Sequence, residues 1–178
     1  MQAQEQCLFS SGERCVMRVL ARLILLFCFL VSAQAALAET YTGRVVGITD
    51  GDTITVLDAT NRQHKIRLSG IDAPEKKQAF GNISKQTLAD LVFSKTVTVE
   101  TSKVDRYRRE LAKVWVGSID ANLEQVKAGL AWYYKKYEHE QPPVDRRAYA
   151  VAEEDARASR LGLWRDSYPV PPWDFRHP

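Results

Sequence analysis

The ten residues IRLSGIDAPE, Ile66 to Glu75, lead from an apolar strand into a charged turn. Apolar residues alternate with Arg67 in the first half, which is typical of a strand with one buried face. Arg67 therefore lies on the face opposite to Leu68. Asp72 and Glu75 follow at once, on either side of an Ala-Pro pair. A cation and two carboxylates thus stand at the end of a strand that is otherwise suited to a core.

The chain before this stretch predicts two more strands, so that the region reads as a three-strand meander. Polar and apolar residues alternate in the first strand, and β-branched residues are frequent in the second. Asp-Gly-Asp and Asp-Ala-Thr-Asn are strong turn signals between strands. The predicted strands are Tyr41–Ile48, Thr53–Leu57 and His64–Leu68.

The chain after this stretch predicts one helix, two strands and two more helices. Helical spacing of apolar residues, a glycine that can end a helix and prolines that can begin one mark the helices. These elements are Ile83–Val92, Thr96–Glu100, Leu111–Val116, Asn122–Ala128 and Asp145–Ser159. The order β-β-β-α-β-β-α-α predicts an α+β fold, a five-stranded Greek-key barrel of the oligonucleotide-binding type with three helices. The proline-rich tail, residues 165–178, is expected to be extended beside a domain of residues 39–164.

Residues 1–38 are expected to be a leader rather than part of the domain. A short basic segment, an apolar run and the small residues before Glu39 follow the order of a cleavable signal peptide. The uncharged stretch is shorter than the roughly 20 residues that a spanning helix needs, although an uncleaved anchor is the alternative. Met17 is a candidate for the true start. Export to the periplasm or the medium is therefore expected, without stable membrane association after cleavage.

Cysteine content and charge exclude some functions and leave others open. All three cysteines lie before Glu39, so the remaining chain forms no disulfide and holds no cysteine-ligated metal. Of 25 Lys and Arg residues three lie before Glu39, as do two of 22 Asp and Glu, which leaves a net charge of +2. That charge is too small to identify a nucleic-acid binder, so the positions of the charges matter more.

Three acids at turns are the candidate metal ligands. Asp52 ends the first turn, and Asp72 and Glu75 follow the third strand. In a meander these turns can converge, and carboxylates without histidine or cysteine suit a hard cation such as calcium or magnesium. Taken singly, each acid is explained as well by turn or helix-start chemistry.

Two arginines favour a phosphodiester as the partner of these acids. Arg67 lies within a strand and Arg109 just before another, and a guanidinium grips phosphate through two parallel hydrogen bonds. Arginines and a metal can neutralise charge on phosphoryl oxygens, while a carboxylate takes a proton from water. Each arginine alone could be a solvated surface charge. Tyrosines interleaved with lysines near residue 135 can stack bases, although core packing is the simpler reading for any one of them.

In combination these motifs resemble the staphylococcal nuclease (thermonuclease) family. The resemblance is carried by DGDT at Asp50–Thr53, RLSGIDAPE at Arg67–Glu75 and DRYRR at Asp105–Arg109, and by later landmarks up to Trp164. It implies an oligonucleotide-binding barrel with three helices, in agreement with the predicted strand order. It also implies a calcium-dependent nuclease that acts on both DNA and RNA and leaves 3′-phosphate ends.

The resemblance implies a role for nine residues. Asp52, Asp72 and the carbonyl of Ala73 would bind calcium, Glu75 would be the general base, and Arg67 and Arg109 would clamp the phosphate. Substrate contacts would come from Arg106, Tyr107 and Tyr137. The chain departs from the family pattern at Lys135, which replaces a tyrosine, and at Arg108, which stands where glycine is common and would be strained at positive φ.

These observations predict a calcium-dependent phosphodiesterase, expected to be a monomer, with DNA and RNA as substrates. The main alternative is a barrel that binds nucleic acid or protein without catalysis. A further alternative is an envelope-tethered protein that docks through PVPPW in the tail. The survival of three acids and two arginines together favours the enzyme.

Overall fold

The computed structural model describes residues 39–177, and its core is a β-barrel formed by one sheet that closes on itself. Five strands form the barrel: β1 (Thr40–Asp50), β2 (Thr53–Asp58), β3 (Gln63–Leu68), β5 (Thr96–Val104) and β6 (Glu110–Val116). Neighbours are antiparallel in the order β3-β2-β1-β5-β6, and β3 also pairs with β6 in parallel, which closes the ring. The predicted α+β barrel of the oligonucleotide-binding type is confirmed.

Three pieces of strand are only two residues long. They are β4 (Ile71–Asp72), β7 (Ile119–Asp120) and β8 (Trp132–Tyr133). The β7 piece extends the main sheet at β6, whereas β4 and β8 pair only with each other. The pairing of β4 with β8 fixes the backbone that carries Asp72 at the edge of the barrel.

Three helices of the predicted kind surround the barrel, and a short fourth one was not predicted. They are α1 (Gly81–Val92), α2 (Ala121–Lys127), α3 (Pro143–Ala158) and α4 (Pro172–Phe175). The first residue of α3 is a proline, and a glycine in the left-handed conformation follows α2. Both match the predicted start and stop signals. The tail is therefore not extended throughout, because it ends in the helical turn of α4.

The core is apolar and divides into two clusters. The inward faces of the barrel strands bury residues such as Ile66, Leu68 and Ile71, which confirms the buried face predicted from their spacing. A second cluster is built on Trp132 and Trp164 beneath the tail. Within residues 39–177 no helix has the length and apolar composition of a membrane span. The predicted leader, residues 1–38, lies outside the described residues.

Candidate active site

Tight packing fixes the first turn, which carries Asp52. A Cβ atom on Gly51 would lie 1.9 Å from the Ser84 hydroxyl oxygen of α1, so only glycine fits there. The amide of Gln125, buried on α2, donates to the Gly51 carbonyl at 2.7 Å. Two helices thus hold the turn from behind. The helices position the first acid of the site although neither contributes a residue that the sequence marked as functional.

Arg67 joins two buried carboxylates in one cluster. Its Nη2 atom lies 2.8 Å from Asp72 Oδ1 and 3.1 Å from Asp52 Oδ2, and its Nη1 atom donates to the Leu68 carbonyl. All three side chains are nearly inaccessible. Arg67 is thus not a surface strand charge. It is a buried cation whose charge the two carboxylates balance.

Asp52 is the acid that its surroundings perturb most clearly. Burial raises the pKa of Asp52 to about 7, although the Arg67 guanidinium opposes the change. Thr53 Oγ1 donates to its Oδ1 atom, and the Ala73 amide donates to its Oδ2 atom at 2.8 Å. The Ala73 contact connects the first turn to the segment after β4, so that Asp52 and Asp72 are held together by backbone as well as by charge.

The second predicted arginine is held by a turn of its own. Asp105 accepts from the backbone N–H groups of Tyr107 and Arg109 through Oδ1, and from the Arg109 guanidinium through Oδ2. Burial would raise the pKa of Asp105, but the hydrogen bonds from Arg109 outweigh burial and lower it. Arg108 has φ 62°, so the backbone keeps the left-handed conformation in which a side chain other than glycine is strained. Asp105 was not among the predicted site residues, although its spacing of four from Arg109 was visible in the sequence.

The aromatic residues form an exposed rim next to these cations. Tyr107 is 64% exposed, and the guanidinium groups of Arg106 and Arg109 lie 4.9 and 5.5 Å from its ring centre. The rings of Tyr137 and Tyr134 meet edge to face. Tyr107 is thus an exposed aromatic ring beside two cations, a combination suited to stacking on nucleobases.

Lys135, which replaces a tyrosine of the family pattern, does not take the place of that tyrosine in the groove. Lys135 is directed toward the buried Glu153, 3.9 Å away, and lies outside the groove that the site residues line. Tyr134 lines that groove beside Tyr137 instead. The chain therefore has a pair of tyrosines at this edge although Lys135 replaces the tyrosine of the family pattern. The resemblance had assigned no role to Tyr134.

An arginine from the C-terminal tail enters the site, although no sequence pattern indicated it. Arg176 Nη2 lies 2.7 Å from Asp72 Oδ2, and its Nη1 atom donates to Glu75 Oε1 at 2.8 Å. It stands 104 residues from Asp72 in the chain. No local pattern connects residues so far apart, so only the fold could reveal the contact.

One open groove of about 1210 Å³ collects all nine residues to which the resemblance assigned a role. It is lined by Asp52, Arg67, Asp72, Ala73, Glu75, Arg106, Tyr107, Arg109 and Tyr137. The barrel edge thus brings together residues from four separate segments of the chain. Their individual roles stay predictions.

The side chains of this groove suit a hard cation, although the carboxylate oxygens are not arranged around one common point. Asp52, Asp72 and Glu75 offer oxygen ligands, and neither histidine nor cysteine lines the groove. Within residues 39–177, however, no three acidic, histidine or cysteine side chains come together as a formed metal site. The guanidinium groups of Arg67 and Arg176 lie between the carboxylates instead.

Comparison with known proteins points in the same direction as the geometry. The model of a family described as staphylococcal nuclease homologue matches residues 65–166. An uncharacterized endonuclease of Haemophilus influenzae is 46% identical over 158 residues, which cover 89% of this chain and 84% of that protein. A micrococcal nuclease of Shigella flexneri is 42% identical over 146 residues, covering 76% of this chain and 80% of that protein. An uncharacterized endonuclease of Escherichia coli is 42% identical over 153 residues, covering 85% and 95%.

Proposed function

The chain belongs to the staphylococcal nuclease homologue family and is a nuclease that hydrolyses phosphodiester bonds, and from this premise we propose that it is a calcium-dependent enzyme cleaving DNA and RNA to 3′-phosphate ends. The observation that carries the proposal is the bridge from Arg67 to Asp52 and Asp72 in an open groove. Buried charges are costly, and a site that keeps three of them facing a groove is organised for a charged ligand.

The oxygen ligands available in the groove support calcium as the metal. Asp52, Asp72 and the Ala73 carbonyl would hold it, in keeping with the preference of calcium for carboxylate and carbonyl oxygen. When bound, calcium supplies positive charge that stabilises the phosphoryl oxygens during the reaction.

The side chains of the groove account for the remaining chemistry. Glu75 takes a proton from a water molecule, whose oxygen forms a bond to phosphorus as the bond from phosphorus to the 5′ oxygen breaks. The 5′ oxygen is protonated by solvent, which leaves a 5′-hydroxyl on one product and a 3′-phosphate on the other. Arg67 and Arg109 donate to the phosphoryl oxygens, where negative charge grows in the transition state.

The rim of the groove supports a substrate with accessible bases. Tyr107 and Tyr137 present aromatic rings, and stacking on a ring accepts any base of DNA or RNA. Arg106, beside Tyr107, would hold a flanking phosphate. We therefore expect single-stranded DNA and RNA to be cut more readily than duplexes, whose bases are already stacked.

A nuclease assay with defined metals tests this function. The purified protein is incubated with labelled single-stranded DNA or RNA in calcium, in magnesium and in a calcium chelator, with Glu75→Gln as the control for contaminating nucleases. We expect cleavage of both substrates in calcium only. The products should accept a label at the 3′ end only after a phosphatase has removed the 3′-phosphate. Equal activity with chelator would rule out the metal, and uncleaved RNA would rule out the dual substrate range.

We also propose that the enzyme is exported and works as a monomer. The basic and apolar leader before Glu39 supports export to the periplasm or the medium. Mass spectrometry of the protein recovered outside the cytoplasm should find an N-terminus at or near Glu39. An intact leader in a membrane fraction would support a tether instead. Light scattering should give the mass of one chain.

A further inference from the structure

The C-terminal residues 167–177, here called the strap, return to the barrel and end at the carboxylates of the groove. The strap is held by the Gln78 amide, which donates to the Val170 carbonyl, and by Trp173. The Trp173 ring stacks on Tyr134 and meets Trp132 edge to face, with ring centres 5.3 and 5.5 Å apart. These contacts place the next turn of chain, and with it Arg176, at the groove.

The guanidinium of Arg176 uses the same carboxylates that a metal would need. It contacts both oxygens of Asp72, at 3.3 and 2.7 Å, and one oxygen of Glu75 at 2.8 Å. Asp72 is buried, so a metal ion that binds it must displace the Arg176 guanidinium or bind beside it. A divalent ion and a guanidinium sharing one carboxylate repel each other strongly in a partly buried site.

We propose that Arg176 is an internal counter-ion that competes with the metal for Asp72 and Glu75, so that the strap sets the metal affinity of the enzyme. The inference rests on the proposed calcium site. The Arg176 side chain is 40% exposed, so it can turn outward into the groove while Trp173 keeps the strap on the barrel. Calcium binding then requires Arg176 to give up its partners, and the cost appears as weaker binding.

The direction of the change in calcium affinity tests this inference. Calcium binding is measured by isothermal titration calorimetry on the wild-type protein and on Arg176→Gln, which removes the charge but keeps a polar side chain. We expect the variant to bind calcium about 10- to 100-fold more tightly, which corresponds to the loss of one competing charge-assisted contact. Arg176→Lys keeps the charge and should bind with an affinity nearer to that of the wild type.

Two further variants separate the strap from general changes in charge. Arg165→Gln removes an exposed arginine just before the strap and should leave the calcium affinity unchanged. Trp173→Ala keeps the guanidinium but loses its anchor, which lowers the effective concentration of Arg176 at the carboxylates. Calcium should then bind with an affinity between those of the wild type and Arg176→Gln.

Thermal unfolding supplies a readout that does not depend on catalysis. Calcium stabilises a protein in proportion to the logarithm of its concentration over Kd, so a tenfold tighter site gains about 1.4 kcal/mol more at saturation. Calcium should therefore raise the Tm of Arg176→Gln more than that of the wild type. A loss of calcium affinity in Arg176→Gln, or equal affinity in both proteins, would overturn the inference alone. Absence of calcium binding in every variant would overturn the proposed metal as well.

Discussion

Replacing Arg67 with lysine separates the fold from the phosphate contact. The substitution keeps a positive charge between Asp52 and Asp72, so neither buried carboxylate is left without a cation. The ammonium group cannot reproduce both the two carboxylate contacts and the bond to the Leu68 carbonyl. One charge-assisted hydrogen bond is lost, so we expect the free energy of unfolding to fall by about 1.5–3 kcal/mol.

Arg67→Lys should lower kcat by more than the loss of folding stability can explain. Lysine loses the two parallel donors that a phosphoryl group requires, and removing one positioned donor typically lowers kcat about 10²- to 10³-fold. The measurements are kcat on a single-stranded oligonucleotide in saturating calcium and urea unfolding of the same preparation. Arg62→Lys, an exchange in an exposed turn, is the matched control and should change neither. Turnover within threefold of the wild type would refute a phosphate contact at Arg67.

Three further predictions concern the base, the strained turn and a histidine that does not line the groove. Glu75→Gln should lower kcat by about 10²- to 10⁴-fold while Tm stays the same, as measured by assay and calorimetry; a minor effect on kcat would exclude Glu75 as the base. Arg108→Gly should raise the free energy of unfolding by about 0.5–1 kcal/mol, because relief of left-handed strain exceeds the added entropy of glycine in the unfolded chain. Burial would lower the pKa of His64, but the carboxylates of Glu110 and Asp58 outweigh burial and raise it. The stability that His64 contributes is therefore complete below the unfolded pKa of about 6.5 and is lost as pH rises through the folded value. Urea unfolding of wild type and His64→Gln should differ more at low pH than at high pH, and a difference that grows with pH would contradict the assignment.

The barrel could be predicted from the sequence because its strands show local patterns. The alternation of residues around Arg67 indicates a strand, and the Asp-Gly pair indicates a turn. Neither signal requires knowing which strand pairs with which. The two-residue pairing of β4 with β8 could not be predicted, because so short a strand has no pattern and its partner lies far along the chain. Likewise α4 follows prolines that fit an extended tail equally well, and its packing on Trp132 decides between the two conformations.

The candidate site shows the same division between local and distant signals. Asp72 and Glu75 were visible because they follow a strand within a few residues. Asp105 has a local signal too, since it stands four residues before the arginine that it holds. Arg176 has none, because its contacts depend on the path of the tail across the second apolar cluster. Burial is equally hidden, and it changes Arg67 from an apparent surface charge into the centre of the site.

The charges of the groove indicate the order in which its ligands bind. The ion-paired cluster around Asp72 consists of three carboxylates, Asp52, Asp72 and Glu75, and two guanidinium groups, Arg67 and Arg176. With Asp52 ionised the cluster carries one net negative charge, and a phosphodiester would be repelled. A bound divalent cation would add two positive charges to this cluster, so a phosphodiester would not be repelled there even after Arg176 turned away. We therefore expect a cation to bind before the nucleic acid, since Arg67 and Arg176 already have acids as partners.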